Sequence, residues 1–282
     1  MRALPVAALA LALAGPAAAG TSCPATFAGG LAPALAKASL ARDTREICLQ
    51  SFTVLHSGVT RTPLWSAEHL TRASVSAARG MDRTNAFHPE ASLQPPGRAE
   101  LSDYARSGYD RGHMAPSGDM PDAVSQEQSF TLANMVPQDP DNNRNLWASI
   151  ETAVRDLAAR EGEAYVVTGP AFRGETLKSL KGRVLVPTDV WKAVYVPRTG
   201  MAGAYLAPND ASGEWKAVSL AQLREATGID AFPSLPESAK VAVPDLPRPS
   251  GTRRHRDAGP VAEAHAPSGT WWLMRKLMGF VR

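Results

Sequence analysis

The amino-acid sequence predicts an α+β fold, and three observations carry that prediction. Short runs rich in β-branched and apolar residues recur between residues 51 and 207. One long segment carries an apolar stripe at helical spacing. The two kinds of element follow each other without the strict rhythm of a parallel βαβ sheet. With 282 residues, 44% of them hydrophobic, the chain can fill one sizeable α+β domain with extensions, or two small domains. That composition excludes disorder throughout.

Taken in order, the first segment reads as an export signal. Arg2 supplies a positive start, residues 3–14 an apolar core and Ala17-Ala18-Ala19 a small-residue cleavage pattern. The core is too short to span a bilayer as an anchor. Residues 1–19 are therefore expected to be removed, with the mature chain beginning near Gly20 in the periplasm or outside the cell. Cys23 and Cys48 are the only cysteines, and an oxidising compartment favours their pairing over two free thiols. Closing a loop of that length stabilises by about 3 kcal/mol in the chain-entropy account.

Residues 51–56 and 165–168 read as strands. Residues 184–187 and 191–196 read as a further pair joined through Thr188-Asp189, and residues 204–207 as another strand. The clearest helix covers residues 143–160, where Leu146, Ile150, Val154 and Leu157 recur on one side after Pro140-Asp141. A second helix over residues 220–226 ends at Gly228. The expected domain is 20–243, most compact over about 45–240. It is followed by a Pro/Gly/Arg-rich linker at 244–270 and an amphipathic aromatic segment at 271–282.

The net charge of +3 divides unevenly. Beyond Val241 there are seven Arg or Lys against three Asp or Glu, a balance of +4; between Arg2 and that tail the balance is −2. A partner as acidic as nucleic acid would then need a local basic cleft.

Two clusters carry chemistry. Asp110-Arg111-Gly112-His113-Met114-Ala115-Pro116 sets an acid, a cation, a glycine and an imidazole side by side. The glycine permits close backbone approach or a positive φ. The second cluster holds Asn134, Gln138, Asn142, Asn143, Asn145, Trp147 and Glu151 before and within the striped helix, more amides than an apolar core accommodates. Asn143, Trp147 and Glu151 are spaced by four and share one broad helix face. An amide oxygen and a carboxylate on that face suit a hard cation such as Mg²⁺, which keeps several waters.

These clusters resemble the DNA/RNA non-specific endonuclease family, whose active site is a ββα-metal (His-Me) finger. The likeness runs from Phe52 through Arg83–Phe87, Asp110–Pro116, Asn134–Glu151 and Val167–Pro170 to Thr227-Gly228 and Phe232-Pro233. It implies a ββα-metal nuclease core with a mixed or antiparallel sheet and packed helices. It implies Mg²⁺-dependent hydrolysis of DNA and RNA with little sequence preference, with Mn²⁺ or another divalent cation as the alternative ion. By resemblance His113 is the general base, Asn143 the direct metal ligand, and Glu151 the carboxylate that holds the metal through a water. Arg111 and, across a small gap, Arg83 match cations at the phosphate; Asn134 matches a polar support. Asp110 is read as orienting its neighbours.

Other residues are set aside. His56, His88, His255 and His265 read as non-catalytic, Asp119 and Asp122 as solvated loop acids, and Glu161 and Glu163 as solvent-facing. Trp191 and Tyr195 read as packing residues. The segment 271–282 could lie on an anionic membrane surface, meet a protein partner or fold back on the domain. Two rival readings remain open: a nucleic-acid-binding protein of the same fold without catalysis, and an envelope-associated interaction protein acting through that segment. An inhibitor partner and the oligomeric state are not legible.

Overall fold

A computed structural model describes residues 21–250. The expected signal peptide, the segment 271–282, and His255 and His265 lie outside the described residues. After two short turns comes β1 (Ala34–Leu35), then a meander of β2 (Thr44–Cys48), β3 (Phe52–Ser57) and β4 (Thr62–Thr71). Cys23 is disulfide-bonded to Cys48, which ties the N-terminal segment to β2. Helix α1 (Arg72–Ala78) follows β4 directly; Thr71 and Ser74 cap it reciprocally, satisfying backbone N–H groups that have no partner within the helix. Next come α2 (Leu101–Tyr104), β5 (Asp110–His113), α3 (Ala123–Ser129) and β6 (Met135–Gln138).

The chain then winds through a π-helical turn, Asn142–Trp147, into α4 (Ala148–Glu161). Gly162, with φ of 103°, makes the sharp exit into β7 (Glu163–Ala171). The short hairpin β8 (Ser179–Leu180) and β9 (Val184–Leu185) precedes β10 (Asp189–Val196), β11 (Met201–Pro208) and β12 (Lys216–Val218). Helix α5 (Leu220–Thr227) ends on Gly228 in the left-handed conformation, and β13 (Ile229–Asp230) pairs back to β1.

Seven strands form one sheet in the order β12-β11-β10-β7-β4-β3-β2, every neighbour antiparallel. Side chains alternate across it. Val190, Val194, Ala164, Val166 and Leu70 face Leu146, Ile150, Val154 and Leu157, the predicted helix stripe. Trp191, Ala193, Val167, Trp65 and Ala67 face the other way, against Phe27, Leu220, Leu223 and Phe232. The antiparallel pair β5–β6, followed by α4, is a ββα unit.

Three expectations need correction. Residues 184–187 and 191–196 do not pair with each other: β9 pairs with β8, while β10 lies between β7 and β11. Thr188 is drawn instead to Ala171, its backbone N–H donating to that carbonyl, so no hairpin turn forms there. The helix of 143–160 begins with π-helical rather than α-helical turns. The stretch read as linker packs at its start: Leu246 is buried and Tyr205 Oη donates to the Pro247 carbonyl at 2.7 Å. Pro244 sits so close to Gly203 that a Cβ there would meet its ring at 2.2 Å.

Candidate active site

The site is assembled on the ββα unit. Gly112 and His113 of β5 pair with Val136 and Met135 of β6. Gly112 is required for close approach, not for a positive φ: a Cβ there would lie 1.9 Å from Gln138 Oε1. The same Gln138 donates through Nε2 to Asn142 Oδ1 at 2.7 Å, joining β6 to the start of the helix.

His113 is 7% exposed and sits between two aromatic rings. Phe130 meets it edge-on with centroids 5.0 Å apart, and Phe87 is tilted at 5.7 Å. The Arg111 guanidinium lies 4.0 Å from the Phe87 ring and that of Arg83 lies 5.4 Å from the Phe130 ring. Burial, then the charges of Arg83 and Arg111, push the imidazole down to about 3, so it is neutral through the physiological range. Its Nε2 is enclosed without a hydrogen-bond partner. Among the described residues neither arginine is ion-paired to a carboxylate, which leaves both charges for an anion.

Asn134 is fully buried, with its amide wholly engaged. Its Oδ1 accepts from Ser66 Oγ at 2.8 Å and the Ala115 N–H at 2.9 Å, and its Nδ2 donates to the carbonyls of Ala115 and Ser129. It holds the chain just beyond His113 and touches nothing outside the protein.

Asp110 is the orienting acid. Asn143 Nδ2 donates to its Oδ2 at 2.9 Å, and Arg144 donates to both oxygens at 2.7 and 2.8 Å. Burial alone would raise this carboxyl, but the hydrogen bonds from Arg144 and Asn143 outweigh it and hold the pKa below the ordinary value. Tying down the amide nitrogen leaves Asn143 Oδ1 free of any hydrogen bond among the described residues.

Glu151 lies two turns further along. Desolvation pushes its carboxyl up to about 7, against the opposing charges of Lys192 and Arg155, while Asp119 adds to the rise and Arg83 lowers it. Arg83 thus acts electrostatically on both Glu151 and His113. Behind Glu151 lies a buried charged layer that sequence reading missed. Arg155 Nη1 bonds Asp119 Oδ1 at 2.6 Å, and Lys192 Nζ donates to Thr168 Oγ1 at 2.6 Å. Glu68 is buried with neither carboxylate oxygen partnered, its pKa well raised by burial first and then by Asp119.

Signals for this layer were present. Lys192 interrupts an apolar strand, and Arg155 follows Glu151 by four on one helix face. Asp119 is a correction: it is 3% exposed, not a solvated loop acid. Asp122 is the N-cap of α3, accepting from the Ser125 N–H. Glu161 is ion-paired to Arg160 and Arg198, and Glu163 bonds His69 at 2.7 Å, so neither simply faces solvent. His56 is buried against the Gly97 carbonyl, and His88 bonds the Pro89 carbonyl.

The residues fit a hard divalent cation. An amide oxygen without a hydrogen bond among the described residues is available on Asn143, and the Glu151 carboxyl lies two turns further along the same helix. Among the described residues no group of three or more His, Cys, Asp or Glu side chains is arranged to hold a metal. A water-rich ion such as Mg²⁺ needs no such cage.

A ββα unit with an enclosed neutral imidazole, an amide oxygen free of hydrogen bonds among the described residues and two arginines without carboxylate partners fits a phosphodiester hydrolase. The chain belongs to the DNA/RNA non-specific endonuclease family, whose pattern matches residues 33–238. It is 35% identical over 209 residues to a nuclease of Nostoc sp., covering 68% of this chain and 74% of that protein. It is 34% identical over 216 residues to nuclease C1 of Cunninghamella echinulata, covering 69% and 84%. The human mitochondrial nuclease EXOG is 30% identical over 222 residues, covering 70% of this chain and 60% of EXOG. The fold is similar to EndoG as solved in its complex with EndoGI, with a TM-score of 0.59 and 25% identity over 71% of this chain and 89% of that one. The chain is therefore a nuclease of a divalent-metal-dependent family.

Proposed function

We propose that this nuclease is exported, uses Mg²⁺, and cuts both DNA and RNA internally with little sequence preference. The observation that carries the reading is the Asp110–Asn143 hydrogen bond, which ties the Asn143 amide nitrogen to the strand that carries His113 and leaves its oxygen without a hydrogen bond among the described residues. Export rests on the N-terminal sequence and agrees with the Cys23–Cys48 bond.

With Nε2 enclosed, His113 exchanges protons through Nδ1. It accepts a proton from water as the water oxygen bonds to phosphorus, and the bond from phosphorus to the 3′ oxygen breaks. The departing 3′ oxygen takes a proton from solvent water, and the products are a 5′-phosphate and a 3′-hydroxyl. Charge that grows on the phosphoryl oxygens meets Arg111 and Arg83, whose positions over Phe87 and Phe130 are set before the substrate arrives. Asn143 would hold the cation directly and Glu151 through water. A bound Mg²⁺ supplies Lewis-acid stabilisation of the developing charge. All of these contacts go to phosphate, which carries no base information, so sequence preference is weak.

The test is digestion of plasmid DNA and of RNA across a Mg²⁺ titration, comparing the wild type with Asn143→Ala. Both substrates are cut, EDTA abolishes cutting, and the variant needs at least about tenfold more Mg²⁺. Cutting that persists in EDTA would sink the metal assignment. Fractionation of the source cell tests export: processed protein beginning near Gly20 is expected outside the inner membrane, and full-length protein in the cytoplasm would refute it.

A further inference from the structure

Next to Tyr109, the residue that precedes β5, lies an open cleft of about 410 Å³. Three cations line it: Arg106, Lys178 and Lys181. Among the described residues none of the three is ion-paired to a carboxylate. Lys181 donates only to the Ser102 carbonyl, which leaves its charge uncompensated. The single acid in the lining, Asp103, is buried and paired with Arg183 at 3.0 Å. A region whose overall balance is slightly negative thus concentrates unneutralised positive charge at one concave place.

The cleft shares a packing cluster with the site already described. Its apolar lining, Leu180, Val186 and Tyr109, belongs to the cluster on which Phe87 packs, and Phe87 carries the Arg111 guanidinium. Arg111 stands two positions after Tyr109, about 7 Å along a strand. The left-handed backbone at Arg106 (φ 58°) and Lys181 (φ 50°) puts basic side chains where glycine or asparagine would be less strained.

We propose that this cleft is a second phosphate-binding subsite, which grips the polynucleotide one or more phosphates away from the scissile bond. The proposal rests on the nuclease reading and adds a determinant of substrate length. Arg106, Lys178 and Lys181 hold backbone phosphates there, so long strands are bound more tightly than short diesters that reach only Arg111 and Arg83. The grip is electrostatic and independent of sequence.

The experiment uses the triple variant Arg106→Ala/Lys178→Ala/Lys181→Ala and a conservative triple, Arg106→Lys/Lys178→Arg/Lys181→Arg. Two readouts are taken: kcat/KM on long DNA and on bis(p-nitrophenyl) phosphate, and anisotropy binding of a labelled oligonucleotide in EDTA at several salt concentrations. The alanine triple should lower the long-to-small kcat/KM ratio about tenfold or more. It should also flatten the slope of log affinity against log salt by about 2, with the conservative triple close to wild type. An unchanged ratio and an unchanged slope would overturn the subsite. Failure of the wild type to hydrolyse either substrate would count against the nuclease reading, while the binding measurement still decides the cleft. Should the triple variant melt early, Lys178→Ala alone, at an exposed side chain without a hydrogen bond, gives the same test with a slope change of about 1.

Discussion

The two faces of the seven-stranded sheet are built from alternate residues of the same strands, and both bury an apolar cluster, yet only one of them also holds buried ionisable groups. Behind Trp191, Ala193 and Val167 the face is closed by Phe27, Leu220, Leu223 and Phe232, an apolar interior. On the other face, Lys192 lies between Val190 and Val194, Thr168 follows Val166, and Glu68 precedes Leu70. One residue step along β10 changes Trp191, a packing group, into Lys192, a buried cation. Burying ionisable groups costs free energy unless they are paired, so their concentration under the ββα unit marks where stability is given up to function.

Substitutions on the two faces should separate these roles. The largest loss of stability is expected for Trp191→Ala, about 3–5 kcal/mol in denaturant unfolding, with kcat unchanged wherever the protein remains folded. A fall in kcat of the folded variant would break the division between faces. Lys192→Met should cost about 3 kcal/mol, because Glu68 and Glu151 lose their shared cation, and should also change the Mg²⁺ concentration needed for half-maximal activity. An effect on stability alone would reduce Lys192 to a structural ion. Asn134→Ala leaves the buried Ala115 N–H and two carbonyls unpartnered and should cost about 2 kcal/mol. Its kcat should fall through displacement of the segment after His113; a stability loss with unaltered kcat would confine it to scaffolding.

The smallest effect is a pH signature. His113 has a folded-state pKa pushed down to about 3 against an ordinary 6.5. Below 6.5 the unfolded chain takes up a proton that the folded one refuses. The stability contribution is complete above 6.5 and is lost progressively as pH falls toward 3. Glu151, raised to about 7, acts in the opposite sense: its contribution is complete below the ordinary carboxylate pKa and is lost as pH rises through 7. Comparing Tm of wild type and His113→Gln isolates the histidine. The variant should gain on the wild type as pH drops from 6.5, and a constant gap would contradict an enclosed neutral imidazole.

Much of the charged face was legible because its residues are contiguous or periodic. Asp110 to Pro116 is one unbroken string, so its chemistry was visible although its strand β5 was not foreseen; Leu146, Ile150, Val154 and Leu157 recur at helical spacing, so α4 could be placed beforehand. Strand β4 could not: seven of its first eight residues in the sheet centre are buried, including Thr62, Ser66 and Glu68, so no polar alternation betrays it. The charged layer was hidden for a similar reason. Lys192, Glu68 and Asp119 come together only when three separate elements pack, and a lone acid in a loop looks solvated until Arg155 reaches it. Pro244 to Pro247 misled in the other direction. Proline there discourages regular structure but not packing, and Gly203 leaves room for the Pro244 ring.

The central claim is that the chemistry resides in His113 on the charged face. The most direct test is the single-turnover rate of His113→Ala at saturating Mg²⁺, with unfolding measured on the same preparation. The cleavage step should slow by about 10²–10⁴-fold, while the loss of the ring packed between Phe87 and Phe130 lowers stability but leaves the variant folded at neutral pH. A folded His113→Ala protein that cuts at the wild-type rate would contradict the claim.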